Sequence, residues 1–123
     1  MSAEAFAAQL RAARLRKFCP ADGIEVAYEL PSQFRAARLV DALRSGDGDA
    51  AVDLIAPMLR SWSGITQSTL LGDGVGSSEP APLTPDVVRI VLGDRPGWAT
   101  DLCIAAVKEA ADAAARQQGA AKN

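Results

Sequence analysis

Apolar side chains recur every three or four positions over most of this 123-residue chain, and each such run is cut short by proline, glycine or a capping residue. That punctuation confines the chain to short amphipathic helices, each with one apolar stripe to bury against its neighbours. Within residues 33–44, Ala36, Leu39, Val40 and Leu43 define one face. Residues 49–62 give the best helical match, with Ala51, Leu54, Ile55, Met58, Leu59 and Trp62 on one stripe. Pro57 falls inside that run, where it removes an amide donor and crowds the preceding turn, so a kink or a break into two shorter helices is expected near residues 53–56. Gly64 follows Trp62 and suits the left-handed conformation that closes a helix, which leaves the Trp62 indole to anchor the core.

The remaining starts and stops are equally local. Ser32, after Pro31, offers a hydroxyl to the first free amides of the helix at 33–44, and Ser45-Gly46-Asp47-Gly48 ends it. Thr84-Pro85-Asp86 combines a cap, a residue pre-set for the first helical position and a carboxylate facing the positive helix end. That helix should reach Leu92 and stop at Gly93, and Asp94-Arg95-Pro96 repeats the start for a last helix to about Gln117, with Ala99, Leu102, Cys103, Ala106, Val107 and Ala110 as its apolar face. At the other end, Ser2 caps a helix over residues 3–16 whose stripe of Phe6, Leu10 and Ala13 is narrow enough to dock loosely. Only Ile24, Val26, Tyr28 and Leu30 alternate, which marks a strand; Pro20-Ala21-Asp22-Gly23 supplies turn chemistry for a hairpin with residues 15–19. The expectation is a mainly α fold of four to five helices with a short N-terminal β-hairpin. It forms one domain over residues 1–118, with a flexible loop at 66–82 and a disordered tail at 119–123.

Composition narrows function mostly by exclusion. Aromatic residues make up 5% of the chain and the formal net charge is −2, so no global field draws it to phosphate backbones. Histidine, the commonest general base and metal ligand, is absent, and the carboxylates read as caps or exposed helix positions. No catalytic residue, cofactor site or metal site is expected. Asp47, Asp49 and Asp53 superficially follow a calcium-loop spacing, but Met58 and Leu59 stand where the liganding Glu belongs. The Gly72-x-Gly74-x-Gly76 run has no following Lys-Ser or Lys-Thr and is not a phosphate loop. Cys19 and Cys103 lie in no metal or redox spacing and read as small buried hydrophobes in a reducing cytosol. No secretory signal or membrane span is expected. The cluster Arg11, Arg14, Arg16 and Lys17 is the feature that an anion binder would use, although a solvated helix face explains it as well.

One stretch says more. Leu59-x-x-Trp62-x-Gly64-Ile65, then a Gly-rich loop, then Leu83-Thr84-Pro85 and finally Arg95-Pro96-x-Trp98 resembles the middle section of the tail assembly chaperones of long-tailed bacteriophages. The resemblance extends over roughly residues 24–111, most of the chain, and makes Trp62, Gly64, Thr84, Pro85 and Pro96 its structural motif. It implies a non-enzymatic protein of the host cytoplasm, absent from the mature virion, that holds the long tape-measure protein soluble while tail-tube subunits assemble around it. The tail-tube protein and further copies of the chain itself are additional partners on this reading. The helix from Val87 to Leu92, the Gly-rich loop and Trp98 are the candidate contact elements, with Val87, Val88, Leu92 and Trp98 as the candidate partner-binding residues and core packing as their competing role. Pro57 and the Pro80-Ala81-Pro82 lead-in fall outside the family pattern. From other classes, the alternatives are a nucleic-acid-associated regulator using Arg11 to Lys17, and a structural head–tail component.

Overall fold

A computed structural model describes residues 1–72 and 75–122. Asp73 and Gly74 of the expected flexible loop, and Asn123 of the expected tail, lie outside the described residues. The elements run α1 (Ala3–Ala13), β1 (Leu15–Ala21), β2 (Ile24–Glu29), α2 (Gln33–Ser45), α3 (Gly48–Ile55), a single 3₁₀ turn (Ala56–Met58), β3 (Leu59–Ser63), α4 (Gln67–Leu71), α5 (Pro85–Gly93) and α6 (Pro96–Lys122). The fold is mainly α, with six helices and a small antiparallel sheet in the order β1-β2-β3.

Local capping builds the helices as the sequence predicts. Ser2, Ser32 and Thr84 each accept a hydrogen bond from the amide three residues on, at Ala5, Arg35 and Val87. Gly46 closes α2 at φ 71°. The hairpin also forms: Leu15 pairs with Glu29 and Phe18 with Val26, and the chain turns at Asp22-Gly23, with Gly23 at φ 79°. The register slips by one residue between Phe18 and Ala21. Pro20, which has no amide to give a ladder, falls in that bulge on an edge strand, where its missing donor does least harm.

Residues 59–63 depart from the expectation. They form β3, paired with β2 through Val26 and Trp62, so Trp62 ends no helix. Pro57 breaks the helix as predicted, but the chain beyond the 3₁₀ turn extends at Leu59, at ψ 135°. Leu59 and Trp62 lie three apart, a helical spacing that a regular strand would send to opposite faces; the one-residue register shift against Ala27 and Tyr28 lets both pack on the core from a strand, and the open backbone groups of β2 favour that pairing. Gly64 keeps its left-handed conformation, φ 85°, but for a different reason: a Cβ there would lie 1.9 Å from the Gly23 carbonyl oxygen. The turn after β3 therefore presses on the hairpin turn, and only glycine fits. Asp94 also differs, since it closes α5 instead of opening α6. α6 itself runs past Gln117 to Lys122.

One face of the sheet and the inner faces of the helices share a core of Val26, Tyr28, Leu39, Ile55, Leu59, Val88, Leu102 and Cys103. Within α2, burial is completed by Ala36 and Ala42, while Val40 and Leu43 are half-buried. Small side chains let the helices approach closely, as a core poor in aromatics requires: Ala51, Ala99, Ala106 and Ala110 are all buried. Three long-range polar contacts fix the layout: Gln33 donates to the Ala110 carbonyl at 3.0 Å, Arg35 to the Leu54 carbonyl at 2.9 Å, and Arg16 pairs with Glu109 at 3.3 Å. α1 stands apart, with no buried residue.

A candidate partner groove between α4 and α5

The expected loop at 66–82 is tied down at several points. Thr66 caps the short helix α4 and forms an isolated bridge with Pro80. The amides of Gln67, Ser68 and Ala81 donate to the carbonyls of Glu79, Ser77 and Ile65 at 2.9, 3.0 and 2.9 Å. Trp62 completes the closure by donating its indole N–H to the Ala81 carbonyl at 2.8 Å. Gly76, at φ 76°, folds so tightly against α4 that a Cβ would meet Leu71 Cδ1 at 2.9 Å. The turn that follows α4 is thereby pressed against its last leucine.

The result is a cavity of about 440 Å³ between α4 and α5, lined on one side by Leu70 and Leu71 and on the other by Val87 and Ile90, with Ala81 and Pro82 between them. Leu71 is 60% exposed and Ile90 67% exposed, so large apolar surface faces solvent on both walls. Asp94 and Arg95 close one end. Arg95 is held over the Trp98 ring, 5.2 Å from its centroid, which fixes a cation beside the apolar strip. Volume, apolar lining and a charged rim suit a side chain or helix presented by another molecule.

The candidate residues divide accordingly. Val88 and Leu92 lie in the core at 0% and 5% exposure and are closed to any partner. Val87 lines the groove, and Trp98 packs half-buried against the core beneath its rim. Trp62 and Trp98 meet around the same packed spot, a void of only about 10 Å³ shared with Leu59 and Leu102. Of the motif residues, Trp62 ties the loop at Ala81, Gly64 meets the hairpin turn, Thr84 and Pro85 start α5, and Pro96 starts α6 next to Arg95 at the rim. Ile90 and Leu71, which the sequence reached only as parts of the helix from Val87 to Leu92 and of the Gly-rich loop, are the large exposed hydrophobics of its walls. Ile90 could have been found, because it lies about 160° to 200° around α5 from Leu92 and Val88 at 100° per residue.

The other candidates resolve into structural roles. Arg14 donates to the carbonyls of Leu30 and Pro31 at 2.9 and 3.1 Å, Arg16 pairs with Glu109, and Lys17 pairs with Glu25 at 3.4 Å. The basic cluster is therefore largely engaged with the chain itself. Asp47 caps α3 by accepting from the Ala50 amide, and Asp53 pairs with Arg89 at 3.3 Å. Among the described residues, no group of three His, Cys, Asp or Glu side chains comes together as a metal site would require. Cys103 is buried, with its thiol pushed up to about 11 by desolvation, whereas Cys19 is exposed, contrary to the sequence expectation. It sits on β1, whose residues alternate in exposure, and so falls on the side of the edge strand away from the core. No helix among the described residues is long and apolar enough to cross a membrane. Comparison with known protein families, curated proteins and solved structures found no match to this chain.

Proposed function

We propose that this chain is a tail assembly chaperone of a long-tailed bacteriophage or prophage, which binds the tape-measure protein and keeps it soluble in the host cytoplasm while the tail tube assembles. It acts without catalysis and is left out of the finished virion. The observation that carries this reading is the apolar groove of Leu71 and Ile90, whose loop wall is tied to the Trp62 indole through Ala81 and whose end is closed by Arg95. A tape-measure protein is a long helical rod with apolar faces that would self-associate if bare. An apolar strip with an acid and a base at its end can take one turn or two of such a helix and shield it from others.

The test is co-expression with the tape-measure protein of the same genome, followed by pull-down and a solubility assay. Wild type should be retained and should shift the partner to the soluble fraction, and Ile90→Asp combined with Leu71→Asp should lose both effects while keeping the helical circular dichroism spectrum. Absence of binding by wild type with the partner well expressed would overturn the proposal. Stoichiometric presence in purified virions would also overturn it, in favour of a structural head–tail component. Salt-sensitive retention on DNA with no tape-measure binding would favour the nucleic-acid reading.

A further inference from the structure

The molecule leaves a second apolar surface unpartnered. On α1, Phe6 and Leu10 are 54% and 52% exposed, one turn apart on a single stripe, and no residue of the helix is buried. The helix is held by its root: the Leu30 amide donates to the Arg14 carbonyl at 2.8 Å, and the Arg14 guanidinium caps the carbonyls of Leu30 and Pro31. An exposed apolar helix and an exposed apolar groove on one chain are complementary in kind, and their positions decide how they can meet.

Within one molecule the two do not meet: no α1 residue lines the groove, and Phe6 and Leu10 stay exposed. The root of α1 lines the same surface hollow as Ala113, whereas the groove ends at Arg95, just ahead of α6. The intervening 18 residues of helix span about 27 Å, while Phe6 stands only eight residues, about 12 Å, from its root. We propose that α1 of one copy occupies the α4–α5 groove of a second copy, and that the exchange is reciprocal, giving a twofold dimer in which Phe6 and Leu10 pack against Leu71 and Ile90 of the other chain.

Charge and area agree with this occupant. Asp94 at the groove's end and Arg11, next to Leu10 on α1, have no ion-pair partner among the described residues; an arm docked with its C-terminal end towards Asp94 pairs them, while the neighbouring Arg95 is drawn onto the Trp98 ring. Covering the exposed parts of Phe6, Leu10, Leu71 and Ile90 together with their surroundings removes roughly 600 Å² per arm, so two arms reach about 1,200 Å², the lower bound for a specific stable interface, whereas one arm does not. The arm therefore covers the groove in the free protein and must leave before a client helix enters. The dimer itself does not depend on the tape-measure reading, since both contacting surfaces belong to this chain.

Sedimentation velocity on the full chain tests it. Wild type should be a dimer at tens of micromolar, and Phe6→Asp with Leu10→Asp, or Ile90→Asp alone, should each give a monomer with unchanged helical content. Mixing the two variants should yield a heterodimer at least tenfold weaker than wild type, because one intact arm still finds one intact groove. A monomeric wild type at 100 µM overturns the proposal even if tape-measure binding is found, as that would assign the groove to the client alone. A dimer that survives both sets of substitutions also overturns it, by placing the interface elsewhere.

Discussion

Replacing Trp62 with Phe isolates the tie that turns a glycine-rich connection into one wall of the groove. The indole N–H reaches the Ala81 carbonyl at 2.8 Å, and Ala81 is 5% exposed, so water has little access to replace the donor. Losing a neutral hydrogen bond costs about 1 kcal/mol, and leaving the buried carbonyl unsatisfied raises the range to about 1–3 kcal/mol. The smaller ring also opens space beside a void of only about 10 Å³, which adds a cavity contribution of the same sign. A total near 2–3 kcal/mol corresponds to a fall in Tm of roughly 6–12 °C for a domain of this size. The assay is thermal unfolding by circular dichroism joined to amide hydrogen exchange. Exchange should accelerate most at Gln67, Ser68 and Ala81, whose amides hold the loop closed, and least in α2. If Trp62→Phe matched wild type within about 0.5 kcal/mol, or if those three amides kept their protection, the indole would not be what positions α4.

Two further outcomes follow from the same geometry. Gly64→Ala should destabilise by about 2 kcal/mol or more and disturb the hairpin, since φ 85° and the Gly23 carbonyl both exclude a Cβ; equal chemical denaturation midpoints would refute the close approach. Cys103 favours the neutral thiol in the fold, so its effect is silent below about pH 9 and works against the fold as pH rises towards about 11, a loss of about 2–3 kcal/mol. Burial pushes the Tyr28 phenol up as well, with the Glu109 carboxylate adding to it, and so steepens the decline in the same direction. Cys103→Ala should flatten the fall of Tm between pH 8.5 and 10.5, and an unchanged slope would remove the thiol from the explanation.

Burial separates the surface roles from the core ones more sharply than sequence could. Val88 and Ile90 are two positions apart and similar in chemistry, yet one is sealed at 0% and the other stands 67% open. The apolar spacing of α5 identifies its stripe, and the position of α4 opposite decides that Ile90 faces a groove. Arg14 and Arg16 look like part of a cationic patch in sequence, but carbonyls and a glutamate from residues far along the chain engage them.

What the sequence by itself determined is whatever rests on interactions within a few residues. The capped starts at Ser2, Ser32 and Thr84, the stop at Gly46, the break at Pro57 and the Asp22-Gly23 turn all form as their local chemistry dictates, because each is closed by a bond or a steric limit inside its own segment. Tertiary structure alone decided that residues 59–63 become a strand, that Gly64 must meet Gly23, and that a glycine-rich connection is pinned into a short helix and one wall of a groove. In each case the partner that lowers the free energy lies well over ten residues away: β2 for Trp62's strand, the hairpin turn for Gly64, and Ala81 for the indole. Such contacts carry no local signature, since their gain exists only after the chain has brought distant segments together.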